Sequence, residues 1–274
     1  MEESKIIRGP AVAGQFYPSS RTRLLNQIED LIDKKADKLD IVACVLPHAG
    51  YMYSGQVAGQ VVSRINIKDK IILLGPNHTG YGKALSIMTA GTWQTPLGEV
   101  NIDSTFARRI LDRSKYLEDD SLAHMYEHSL EVELPFLQYF RTDFEIVPIV
   151  ISSEEIKVLK EAGKEIASAI GEANLTSSTM IVASSDMTHY EPQEIAQKKD
   201  KEAIQAILEL NEDKLMERIQ SLSISMCGYA PVVVMLSAAK QLGAKTAKLI
   251  KYQTSGDVTG EKDSVVGYAG IVIY

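Results

Sequence analysis

Residues 71–82 read IILLGPNHTGYG. Four aliphatic side chains in a row, with no charge among them, suit a strand buried on both faces, as in a parallel sheet covered by helices. Gly75 and Pro76 then break the strand, and His78 stands just past its mouth. Two more apolar runs end the same way. Residues 41–46 (IVACVL) lead into PHAGYMYSG, which places His48 in the loop. Residues 179–184 (TMIVAS) lead into SDMTHYE, which places Asp186 and His189. Open α/β sheets gather function in the loops beyond the carboxyl ends of their strands. Three such exits carrying three of the five histidines imply one shared site.

The rest of the chain fits that reading. Residues 85–89 and 145–151 are further strands, and helices are expected at 54–65, 103–114, 129–140, 154–170 and 229–242, with Pro231 in the first turn of the last. Two more helices fall within 192–222. Strand-like segments at 245–254 and 265–274, joined by a polar, glycine-containing turn, suggest a closing hairpin. The expected fold is α/β: a three-layer α/β/α sandwich around a central mixed, mostly parallel sheet. With no internal repeat and no linker-like segment, residues 1–274 are expected to form one domain.

Composition narrows the function. The chain is 45% hydrophobic, with 29 Lys and Arg against 36 Asp and Glu, a formal charge of -7. That balance, with no basic run longer than a pair, disfavours nucleic acid. The opening MEESKIIRGP has no apolar core of a signal peptide, and no apolar stretch is long enough to span a membrane. Two cysteines without an export signal suggest reduced thiols in a cytoplasmic protein.

Cys227, in SISMCGYAPVV, precedes a helix whose dipole would favour thiolate; the alternative is a small buried hydrophobe. Cys44, inside an apolar strand, is expected to be such a hydrophobe. In HMYEHSLEVELP, His124 and His128 are four apart and would share a helical face, but Glu127 adjoins the second histidine, so this is no H-E-x-x-H motif. Glu127 or His128 is expected in the cleft, and Glu131 and Glu133 on the helix surface or at its cap. GPNHTGYG lacks the G-K-[ST] of a phosphate loop, and neither G-x-G-x-x-G nor G-x-S-x-G occurs where a dinucleotide fold or a nucleophile elbow needs it.

Seven segments together resemble the Memo family: AGQFYP at 13–18, PHAGYMYSG at 47–55, LGPNHTG at 74–80, TPLGE at 95–99, EHSLEVELP at 127–135, SSDMTH at 184–189 and MCGYAP at 226–231. They occur in family order and nearly end to end. The broader fold relatives are the class III extradiol dioxygenases, so the resemblance implies their fold. It also implies roles: His48, His78 and Cys227 as ligands of one metal ion, with cysteine where the dioxygenases carry glutamate. His189 would be the acid/base with Asp186 its neighbour, and His128 would lie in the pocket. Thr79, Tyr229 and Ala230 depart from the animal member's pattern. Two imidazoles and a thiolate suit Fe(II), copper or zinc. The resemblance implies an oxidoreductase-like activity on a small redox-active molecule, phenolic or catecholic by likeness to the dioxygenases, with Trp93 and Tyr51 as stacking walls. The alternative is a non-catalytic module that holds a peptide, a protein or a metal in the same cleft. Some relatives are associated with AMMECR-type or radical-SAM proteins.

Overall fold

The computed structural model describes residues 6–274. Among these residues twelve strands form one sheet: Ile7–Arg8 (β1), Ala43–Leu46 (β2), Lys70–Pro76 (β3), Leu85–Ile87 (β4), Thr92–Thr95 (β5), Gly98–Ile102 (β6), Glu118–Asp119 (β7), Glu145–Ile151 (β8), Thr179–Ser184 (β9), His189–Glu191 (β10), Ala247–Thr254 (β11) and Val265–Ile273 (β12). The helices are Arg21–Leu31 (α1), Tyr51–Val62 (α2), Ser104–Arg113 (α3), Leu122–Met125 (α4), Leu134–Phe140 (α5), Ile156–Glu172 (α6), Gln193–Leu208 (α7), Glu212–Ser221 (α8), Tyr229–Gln241 (α9) and Ser255–Thr259 (α10).

The centre of the sheet is parallel. It runs β8, β3, β9, β2, with Ile71 opposite both Ile146 and Met180, and Cys44 opposite Val182. These strands are buried along almost their whole length, as their uncharged sequences require. The flanks are mixed. β12 runs antiparallel to β2, and β11 antiparallel to β12, which realises the closing hairpin. Its turn holds α10, started by a capping box between Thr254 and Asp257.

Helices cover both faces. Gly270 of β12 lies against Val57 and Val61 of α2, whereas Gly267 lies against Asp200 of α7. Residues three apart in a strand point to opposite faces, so α2 and α7 sit on opposite sides. Helices α1 and α5 pack beside α2, while α8, α9, α6 and α3 continue the layer begun by α7. One hydrophobic cluster runs through the layers from Tyr17 to Ile273. Among the described residues no helix is long and apolar enough to cross a membrane.

Three local differences from the sequence pattern have physical causes. The hairpin β5–β6 was hidden by its polar composition, Thr-Trp-Gln-Thr against Gly-Glu-Val-Asn-Ile. Strand β4 pairs antiparallel with β8, off the parallel core. The helix expected over 129–140 becomes a 3-10 turn, Glu131–Glu133, followed by α5. Pro135 forces this, because a proline is accepted in a first helical turn and not in an interior.

Candidate metal centre

β9 lies between β3 and β2, so the three strands that end in histidine loops are immediate neighbours. Their exits converge by topology alone. The His48 backbone N–H donates to Asp186 Oδ1 at 2.8 Å, which fastens the first loop to the third. The His48 ring is buried, with Nδ1 2.7 Å from Ser184 Oγ and Nε2 3.3 Å from Cys227 Sγ. Cys227 arrives from the turn before α9. Gly228 permits that approach, since a Cβ there would lie 2.2 Å from the Ser184 carbonyl oxygen.

His78 is held by Glu127. Its backbone N–H donates to Oε2 at 2.5 Å, and its Nδ1 lies 2.9 Å from Oε1. The same Oε1 accepts the N–H groups of His128 and Ser129, each at 2.9 Å. A carboxylate that orients a histidine through Nδ1–H leaves Nε2 for a metal. The ligand atoms of His48, His78 and Cys227 lie within 4.8 Å of one another. A second group, His78, Glu127 and His128, meets the same limit and shares His78. The His78 and His128 rings stack with centroids 4.6 Å apart.

Electrostatics suit a cation. Burial lowers His48 well below the usual histidine value, assisted by His78, His128 and His189, so its imidazole is neutral at neutral pH. Burial pulls Glu127 upward, but the hydrogen bond and charge of His78 and the Ser129 N–H outweigh it and bring the carboxyl down to about 2. Stability drawn from a lowered carboxyl is complete above its ordinary value, about 4.5, and is lost as pH falls toward 2. Glu127→Gln should therefore flatten the fall in stability across that window, as read by urea unfolding at stepped pH. An unchanged slope would mean that Glu127 is not ionised as described. Burial and the Asp186 charge push the Cys227 thiol up, against the thiolate that the helix dipole would favour. Burial also raises Asp186 to about 7, against the backbone N–H groups of His48 and Ala49, which lower it.

The cluster opens into a cavity of about 580 Å³. His128, Asp186 and His189 line it together with His48, His78 and Cys227. His189 keeps its place through Ser225, whose carbonyl lies 2.9 Å from Nδ1. Asp186 directs its hydrogen bonds at the His48 loop, with none to the His189 ring. Trp93 and Tyr51 are not walls of the cavity. Trp93 is fully buried beneath Arg8, whose guanidinium carbon sits 4.3 Å from the ring centroid. Tyr51 is buried between Tyr17 and Phe136, and its hydroxyl donates to the Val132 carbonyl at 2.8 Å.

The aromatic walls are instead Phe16, Tyr53, Tyr190 and Tyr268. Phe16 packs on His128 at 4.8 Å, and Tyr190, 78% exposed, takes a φ of 58° that tyrosine rarely adopts. No periodicity marks these residues, and although AGQFYP and PHAGYMYSG carry Phe16 and Tyr53, nothing in the sequence singled either out. His124 lies outside the cleft. Helix α4 ends before His128, and the His124 ring nitrogens meet the Asp120 and Pro148 carbonyls. Glu131 and Glu133, expected on the helix surface or at its cap, are fully buried: the whole turn is enclosed, Val132 included, with Glu131 meeting Arg8 and Tyr17 and Glu133 meeting Ser184.

The Memo-like protein family profile matches residues 8–272. A MEMO1 family protein of Methanopyrus kandleri is 42% identical over 279 residues, covering 97% of this chain and 98% of its own. One from Aquifex aeolicus is 44% identical over 269 residues, covering 97% and 98%. In fold, the chain is similar to a crystal structure of an uncharacterized protein from Escherichia coli K12. That match has a TM-score of 0.58 at 15% identity and covers 85% of this chain and 99% of the other.

Proposed function

The chain belongs to the Memo family, and from that membership and the cluster at its strand exits we propose that it binds one metal ion through His48, His78 and Cys227 for an oxidoreductase-like reaction on a small redox-active molecule. The observation that carries this reading is the approach of three donor atoms within 4.8 Å at the floor of an aromatic-walled cavity. The donor set fits a metal. Both imidazoles have Nδ1 occupied by a hydrogen-bond partner, Ser184 or Glu127, which leaves two Nε2 atoms and a thiol. Three protein ligands leave a coordination position for substrate. Fe(II) and copper suit two imidazoles and a thiolate, and zinc is the redox-inert competitor. A bound redox-active ion would supply electron transfer.

The protein would supply the rest. The aromatic walls exclude water from one side of the cavity and hold a planar molecule. His189, lining that cavity, moves a proton to or from it, since a histidine does both near neutral pH. The dioxygenase-like fold that the sequence resembles is compatible with this chemistry, although cysteine in place of a carboxylate ligand makes ring cleavage the weaker assignment. The test is anaerobic reconstitution with Fe(II) or Cu(I), followed by oxygen consumption with catechols, thiols and ascorbate. His189→Ala should keep its metal and lose turnover by about 100-fold, the usual scale of acid/base catalysis. A second reading rests on the exposed Tyr190 at the rim: the cleft holds a peptide without turnover. Absence of turnover with every substrate, together with peptide capture lost in Tyr190→Ala, would favour it.

A further inference from the structure

Ser184 ends β9 directly beneath His48, and its hydroxyl has three neighbours. Oγ lies 2.7 Å from His48 Nδ1, 2.7 Å from the Ser129 carbonyl oxygen and 3.0 Å from Glu133 Oε1. A serine hydroxyl donates one hydrogen bond and accepts two. The Ser129 carbonyl can only accept, so it takes the Ser184 proton. Both remaining partners must then donate into the Oγ lone pairs. His48 does so as Nδ1–H, and Glu133 does so only as a protonated acid.

We propose that Glu133 is a positioning residue: a neutral carboxylic acid that, acting through Ser184, fixes His48 as the Nδ1–H tautomer with a bare Nε2 beside Cys227. The proposal rests on the ligand role given to His48 above. A second feature supports it independently. Glu133 is fully buried and its Oε2 has no hydrogen-bond partner. The carbonyl oxygen of a neutral acid can be left there at modest cost, whereas one end of a buried carboxylate could not. Burial and the neighbouring Asp186 both push the Glu133 carboxyl well above its ordinary range; only a hydrogen bond received from Ser184 would lower it, and the Ser129 carbonyl already takes that proton.

The arrangement matters because a histidine ligates a metal through the nitrogen that lacks a proton. A partner that fixes the tautomer usually changes metal affinity by about 10–100-fold when removed. The Ser129 carbonyl draws the Ser184 proton away from Nδ1. Glu133, as a donor, excludes the one other orientation in which the hydroxyl would point at the carboxyl group, so Ser184 is held with a lone pair facing His48.

Two measurements test this. On the metal-free protein, long-range ¹⁵N–¹H correlation should give His48 the Nδ1–H pattern, assigned by its loss in His48→Asn. An Nε2–H pattern would overturn the proposal. Zn(II) titration in reducing buffer should then find affinity lowered about 10–100-fold in Ser184→Ala and Glu133→Leu. Glu133→Gln, which keeps a neutral donor, should stay close to the parent. Equal losses in Glu133→Gln and Glu133→Leu would mean that an ionised carboxylate is required, and no loss in Glu133→Leu would remove its role; either sinks the idea. The tautomer measurement decides even if Glu133→Leu fails to fold. Failure of Zn(II) to bind the parent would count against the metal site, while the tautomer would still be read.

Discussion

Protein purified without chelator in reducing buffer is expected to carry a bound ion, and Cys227→Ala to lose it, with affinity down by more than about 100-fold, beyond what loss of an outer partner costs. The reason lies in the donor count. Without Cys227 only His48 and His78 remain of the three-ligand set, and two imidazoles on separate loops hold a metal weakly. His78→Ala should lose the ion to a similar extent. Cys44→Ala should not, because Cys44 is sealed inside β2, opposite Val182 on one side and Val272 on the other.

The raised thiol adds a pH dependence. Burial keeps Cys227 protonated in the metal-free protein, so binding must expel that proton, and affinity should fall as pH falls. Elemental analysis of the parent and the three variants, with a pH series on the parent, checks all of this. Equal metal content in the parent, Cys227→Ala and His78→Ala would exclude the site.

Why the site could be foreseen, and its supports could not, follows from how each is encoded. His48, His78 and His189 follow uncharged strands, which a run of aliphatic residues makes legible; that β9 lies between β3 and β2 and so brings the exits together is seen only in the fold. Cys227 has no such marker. Its distance to His48 depends on Gly228 pressing against Ser184, a contact between segments far apart in the chain. The same limit hid Glu131 and Glu133. Acidic residues before a helix look like surface or capping groups, and nothing in the local sequence shows that Arg8 and Ser184, from distant segments, close over them. Trp93 misled for another reason. The resemblance to ring-cleaving enzymes made it a candidate stacking wall, yet here it is the floor under a buried arginine. Partners with no sequence period, such as Ser184 to His48, are legible only once the loops are placed.

Glu131→Ala should cost about 3–5 kcal/mol of stability, the usual penalty for stranding one member of a buried ion pair. Arg8 and Glu131 are both fully buried and joined side chain to side chain. Arg8 also donates from Nε to the His124 carbonyl at 3.1 Å and bonds the Glu127 carbonyl. Glu131 accepts from the Ala11 N–H at 2.7 Å, the Val12 N–H at 3.1 Å and the Tyr17 hydroxyl at 2.6 Å. Alanine would remove all four partners at once and leave a guanidinium pressed against Trp93 with no counter-charge. Against a typical total of about 5–15 kcal/mol, that loss is large. Tyr17→Phe, which deletes one hydrogen bond, should cost about 1 kcal/mol. Urea unfolding midpoints at unchanged slope would give both values. The effect should also reach the cavity. The anchored segment carries Phe16, whose carbonyl accepts the Tyr51 N–H at 2.8 Å at the start of α2 and whose ring covers His128. Amide exchange around Phe16 should therefore quicken in Glu131→Ala more than in β3 or β9, which lie in the parallel core. A midpoint within about 1 kcal/mol of the parent would refute the role given to the pair. Arg8→Met combined with Glu131→Leu locates the cost: recovery of most of the stability assigns it to the stranded charge, and no recovery assigns it to the N–H groups of Ala11 and Val12 left without an acceptor.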